Sequence, residues 1–200
     1  MQSIQKQFEN HFSTHWIGLN FYKVKPDVPK ARHLSDVRFC ESTKQAIVYP
    51  IILDKNSINC PGALFAFGWK PLTSFYKHCE KKSKLYRNKL QEMIRQMPRL
   101  DGTISYIGLN TSNQPDILLS FVTPKQVMSL LYLFHNKEAK SLNVSLSSMT
   151  SICGGVAVST FLRDEIAFSF GCTDSRFYAD LGAERLAVGI PHRHFDLVKY

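Results

Sequence analysis

The sequence predicts an α/β (α+β) fold: one domain built on a mixed sheet with flanking helices. Short apolar runs of strand length alternate with segments whose apolar residues recur at helical spacing. Clusters rich in Pro, Gly and Asn separate them. A chain of 200 residues can bury one full core, so residues 1–200 are read as a single domain.

Taken in order, Ile4, Phe8 and Phe12 form a helical stripe, and Trp16 to Tyr22 reads as a first strand. Two prolines and several charges make 23–30 a surface loop. Asp36 is placed to cap a helix through Cys40 to about Ile47. Residues 48–53 form a short buried strand with Pro50 at its edge or entrance. Proline favours the first helical position, so Cys60 is set as the N-cap of a helix through Ala63, Phe65 and Phe67, stopped at Gly68.

Residues 69–97 read as a helical basic insertion. Lys77, Lys81, Lys82, Lys84, Arg87, Lys89 and Arg95 interleave with Phe75, Tyr76, Leu85, Tyr86, Leu90, Met93 and Ile94. An amphipathic helix with a solvated charged face is favoured over an arm that touches an anionic partner. Pro98 ends it. Residues 103–109 and 116–122 are strands around a turn at 110–115. Thr123-Pro124 opens a helix with the stripe Val127, Leu130, Leu131, Phe134, and 144–146 reads as a short strand. A helix is expected from near Cys153 to Phe161, then a strand over 166–170 ending at Gly171-Cys172. Thr173 and Asp174 can cap the next helix. Residues 186–191 are the last strand, and a closing helix with a solvated face carries His192 and His194. Ile17-Gly-Leu-Asn20 recurs as Ile107-Gly-Leu-Asn110, and each half runs cysteine, apolar stretch, cysteine, helix, glycine. An internal pseudo-duplication would bring both cysteine pairs to one interface.

The first residues lack the apolar core of a signal peptide, and no apolar run approaches the roughly 20 residues of a membrane span. A cytoplasmic protein without membrane contact is expected. Five cysteines, odd in number and widely spaced, do not form a disulfide framework there. A net charge of +9 suits an acidic partner. Nucleic-acid binding is nevertheless not favoured, because no RNA-binding motif is present. Neither a dinucleotide fingerprint nor a Walker A loop occurs.

The chemistry concentrates on Cys40, Cys60, Cys153 and Cys172, each beside a glycine, an arginine or a helix start. Four thiolates suit a [4Fe–4S] iron–sulfur cluster, whose ligands need not be close in sequence. Structural zinc usually takes cysteines two to four residues apart, a spacing absent here. Arg38 and Arg176 would offset negative charge, and Gly62, Gly154, Gly155 and Gly171 would let backbone amides approach inorganic sulfur. Two alternatives stay open. One is a thiol-dependent enzyme using Cys60 or Cys172 as nucleophile, with His192 or His194 as base. The other is a non-catalytic module that binds an anionic ligand or RNA through the basic arm. No catalytic set is assigned, and a redox partner accompanies only the first reading. Cys79, in the charged arm, stands outside every motif.

Arg38-Phe-Cys40-Glu, Cys60-Pro-Gly, Met97-Pro-Arg-Leu, Ser151-Ile-Cys153, Ser169-Phe-Gly-Cys172 with Arg176, and Gly189-Ile-Pro191 occur in this order along nearly the whole chain. In these pieces the sequence resembles the DUF169 family of prokaryotic proteins. The family pattern usually carries glycine where this chain has Asp174. The resemblance implies a fold and the location of a site, not an activity.

Overall fold

A computed structural model describes residues 3–81, 83–144, 146 and 149–199. Helix α1 (Ile4–Phe12) is capped by the Ser3 hydroxyl, which accepts from the Lys6 N–H at 3.4 Å. It leads into β1 (Trp16–Tyr22), then β2 (Arg32–His33), α2 (Phe39–Gln45), β3 (Ile51–Leu53) and α3 (Pro61–Ala66). The helical pair α4 (Leu72–Glu80) and α5 (Arg87–Arg95) follows. The second half supplies β4 (Tyr106–Leu109), β5 (Ile117–Val122), α6 (Pro124–Glu138), a π-helix (Ser151–Val158) and α7 (Ser159–Arg163). It ends with β6 (Ala167–Ser169), α8 (Thr173–Tyr178), β7 (Leu186–Pro191) and a 3-10 helix (His192–Lys199).

The strands form one seven-stranded sheet in the order β2-β3-β4-β1-β5-β7-β6. Only β2 and β3 pair in parallel, which makes the sheet mixed, as the sequence predicts. Side chains alternate across β1. Ile17, Leu19 and Phe21 enter one core with Phe39, Leu64, Phe67 and Val156, from α2, α3 and the π-helix. Trp16 enters the other core with Phe8, Phe12, Leu130, Phe134 and Phe195, from α1, α6 and the 3-10 helix. The sheet is therefore sandwiched between helical layers, and each layer is held by apolar burial from the alternate residues of the same strands.

The two Ile-Gly-Leu-Asn segments meet at the centre of the sheet, where Leu19 faces Leu109 and Asn20 faces Gly108. Asn110 adopts a left-handed φ of 55°. Its side-chain oxygen accepts from the Gly18 N–H at 2.7 Å, and its amide donates to the Ala46 carbonyl at 2.8 Å. One asparagine thus ties three chain segments together.

The basic insertion is two helices, not one. Phe75, Tyr76 and Cys79 of α4 and Leu90 and Ile94 of α5 close a third small core on Phe65 and Met97. Phe65 and Phe75 stack with centroids 4.5 Å apart. Lys77, Lys81, Lys84, Arg87, Lys89 and Arg95 are exposed; Lys82 lies outside the described residues. Of the residues expected as a strand over 144–146, Ser145 also lies outside them, and Val144 and Leu146 are not in a strand.

Other boundaries shift for identifiable reasons. Arg38, not Asp36, precedes α2; Asp36 takes a left-handed φ of 56° and its carbonyl accepts from the Asn59 side chain at 2.9 Å. The strands expected over 48–53, 103–109 and 166–170 are cut to their paired residues. Among the described residues, no helix is long and apolar enough to cross a membrane.

The closing helix corrects the expectation of two solvated histidines. His194 is buried, edge-on to Phe134 at 5.4 Å, with Nδ1 3.5 Å from Glu138 Oε1. Burial lowers its pKa, reinforced by Arg193 and Lys137 and opposed by Glu138 and Asp164. A lowered pKa means that the unfolded chain binds the proton more readily. The stability from the neutral ring is complete above the ordinary value of about 6.5 and is lost as pH falls toward the folded value. The melting temperature should therefore drop on acidification below about pH 6.5. In a His194→Gln protein that segment of the profile should flatten, and an unchanged profile would remove His194 as its cause.

Candidate functional site

The four cysteines singled out by spacing reach the same end of the molecule, each at or near the start of a helix. Cys40 is the second residue of α2. Cys60 is the N-cap of α3, with Pro61 at the first helical position as expected. Cys172 is itself the N-cap of α8, in place of Thr173 or Asp174; its N–H donates to the Ser175 hydroxyl at 2.8 Å. Cys153 sits in the first turn of the π-helix, where an ordinary α-helix is expected from sequence. π-Helices of any length are rare and recur at functional sites.

Their proximity registers in their electrostatics. Burial, with the neighbouring Cys60 and Cys172 acting in the same direction, pushes the Cys40 thiol up to about 12. Burial likewise raises Cys153 well above the ordinary thiol, with added contributions from Cys60, Cys172 and Cys40. Each buried thiol therefore feels the other three cysteines or two of them. Without a counter-charge, both stay protonated at neutral pH.

Cys60, Cys153 and Cys172 form the floor of a cavity of about 460 Å³, and Cys40 is packed into the core instead of lining it. The opposite wall comes from the helical pair, with Phe75, His78, Cys79 and Met93. Cys172 also borders a second, open depression with Gly171, Arg176 and Phe177. Among the described residues, no three His, Cys, Asp or Glu side chains are gathered so as to hold one metal ion. A tetrahedral zinc with Zn–S bonds of about 2.3 Å would need that tighter gathering. Three of the four cysteines line the chamber, the fourth stays in the core, and among the described residues they do not close on a point.

The other predicted residues take different parts. Arg38 pairs with Asp174 and lies over the Tyr178 ring at 4.5 Å, which ties the start of α2 to that of α8. Burial opposes its charge, but Tyr178, Asp174 and the field of Cys60 outweigh this and raise its pKa. Asp174 thus has a partner beside the cysteines. Arg176 donates to the Gly182 carbonyl at 3.1 Å and lines the outer depression, not the chamber.

The glycines do not serve as expected. The N–H groups of Gly154 and Gly155 donate to the Thr150 carbonyl at 2.7 and 2.8 Å, and that of Gly171 to the Ser169 hydroxyl at 3.1 Å. Those amides already have protein acceptors. Gly62 has room for a side chain, its nearest contact being Thr150 Cγ2 at 3.5 Å. Gly154 has none, because a Cβ would meet Thr150 Oγ1 at 2.6 Å. Gly171 is required by its φ of 83° and by Leu181 and Ser175.

Thr150 is the residue that sequence reasoning missed. It is β-branched yet held at φ 48°, and its buried hydroxyl has no hydrogen-bond partner among the described residues. It lines the chamber between Gly62 and Gly154. The serine-rich approach to Cys153 was its only signal. His192 and His194 are corrected as base candidates. His194 is buried beside Phe134, on the far layer of the sheet, and His192 packs on Phe195 and borders a separate groove with Asp116. The histidine on the chamber wall is His78. Cys79, outside every motif, is buried on the same wall.

The DUF169 family model, described as "Uncharacterised ArCR", matches residues 9–199. No curated protein and no solved structure matches the chain. With the match spanning all seven strands and all four cysteines, the chain belongs to the DUF169 family.

Proposed function

We propose that this protein holds an iron–sulfur cluster, of the [4Fe–4S] type, on Cys40, Cys60, Cys153 and Cys172, in a redox or cluster-related role. The observation that carries the reading is the meeting of four cysteines from four separate helix starts, close enough that each buried thiol feels its neighbours. Several features support the fit. Three of the four sulfurs line the end of the chamber, and Cys40, in the adjoining core, lies near enough to add to the field at Cys153. Thiols that repel one another as anions become compatible when each is a metal-bound thiolate. Arg38 adds fixed positive charge near Cys60. When bound, such a cluster supplies one-electron transfer. The chain's own part is to deliver four soft ligands, to compensate their charge and to keep Cys40 and Cys153 away from water.

Anaerobic reconstitution with iron(II) and sulfide tests this. About four iron and four sulfide per chain are expected, with broad absorbance near roughly 400 nm that bleaches in air. A protein that stays colourless, keeps its thiols titratable and is alkylated once, at Cys60 or Cys172, would overturn the reading in favour of a nucleophilic thiol with His78 nearby.

A further inference from the structure

Beyond the cysteine floor, the rest of the chamber has a chemistry of its own. Its outer wall is apolar, with Phe75 and Met93 from α4 and α5 and Leu85 from the turn between them. That turn also carries Lys81 and Lys84, both exposed and without an ion pair among the described residues. Arg87 follows, 4.0 Å from Glu80 and 5.8 Å from the Tyr76 ring centroid. The carboxylate on the opposite rim, Asp174, is paired with Arg38 and so offsets little of this charge. Leu85 and Tyr86 leave 48% and 80% of their surface exposed at the same turn, although the rest of the helical pair hides its apolar residues. A volume of about 460 Å³ lies within the range of small-molecule sites, roughly 300–1,000 Å³.

The geometry points to a ligand site for an amphipathic organic anion: an apolar or aromatic body lying against Phe75, Leu85 and Met93, and an acid group beside the exposed Lys81 and Lys84, the latter next in sequence to the chamber-lining Ser83 and Leu85. Apolar burial supplies most of the attraction, and the rim fixes orientation. The site shares its floor with the proposed cluster but does not depend on it, since the apolar wall and the basic rim belong to the helical pair.

The test uses the full chain, metal-free and reconstituted, titrated with 1-anilinonaphthalene-8-sulfonate and followed by fluorescence. Saturable binding of about one probe per chain is expected, displaced by octanoate more strongly than by 1-octanol. Met93→Trp, which narrows the chamber, and Leu85→Arg, at its exposed mouth, should each weaken binding by about tenfold or more. Lys81→Glu with Lys84→Glu should weaken the probe and octanoate but not 1-octanol, while Lys125→Glu on α6 changes nothing. Near-UV circular dichroism checks that each variant keeps its packing. Probe binding that survives both chamber variants, or that ignores the rim charges, overturns the proposal. Iron and sulfide content, measured on the same samples, reports separately on the cluster.

Discussion

Serine in place of Cys153 should leave a folded protein that retains less than about a tenth of the wild-type iron after anaerobic reconstitution. Cys153 is buried at the chamber floor, and all three other cysteines contribute to its raised pKa. A serine hydroxyl there is a hard, poorly ionised donor that cannot replace a soft thiolate. Cys40→Ser, Cys60→Ser and Cys172→Ser should also lose most of the iron, with Cys172→Ser losing least because it stands at the open rim. Cys79→Ser is the internal control. It is buried on the same chamber wall, so it experiences the same solvent and the same handling. If Cys79→Ser lost as much iron as Cys153→Ser, binding would be diffuse thiol chemistry and not a four-ligand site.

The second large effect concerns backbone shape beside Cys153. Gly154→Ala should destabilise the fold by about 2–3 kcal/mol, because the new methyl would sit 2.6 Å from Thr150 Oγ1 and 2.9 Å from its Cβ. Thr150→Gly removes that side chain and suits φ 48°, a conformation that costs a β-branched residue about 1 kcal/mol or more. The double variant should therefore recover most of the loss, a coupling of about 1–2 kcal/mol in denaturant unfolding. Additive losses would place the strain elsewhere. Thr150→Gly alone should be neutral or stabilising. If it also reduces cluster content, the strained threonine is retained for the site.

The gross architecture was legible because its causes are local. Alternating apolar residues on β1, the Thr123 cap of α6 (which accepts from the Gln126 N–H at 3.4 Å) and Pro61 after Cys60 all act within a few residues. Misreadings arose where a distant partner decided the conformation. Asp36 has the right chemistry for a cap but is held in a left-handed turn by Asn59. Between α4 and α5 no Gly or Pro marks the break; the chain turns because both helices bring apolar faces to Phe65. His194 is buried by Phe134, a residue that lies far away in sequence. At the site, spacing and neighbours marked four cysteines but could not show that the glycine amides bond inward, nor that Thr150 would be strained. An α- and a π-helix share their sequence preferences, so the widened turn at Cys153 was invisible.

Cys172 borders both the chamber and the outer depression, whereas Cys40 is walled in by the core. A cofactor seated here would have one damp corner and one dry one. Dissolved dioxygen and chelators would arrive first at the damp side, so disassembly should begin there, with iron leaving before the inner ligands let go. Widening that entrance through Phe177→Ala would hasten bleaching in air, and a bulkier neighbour would slow it.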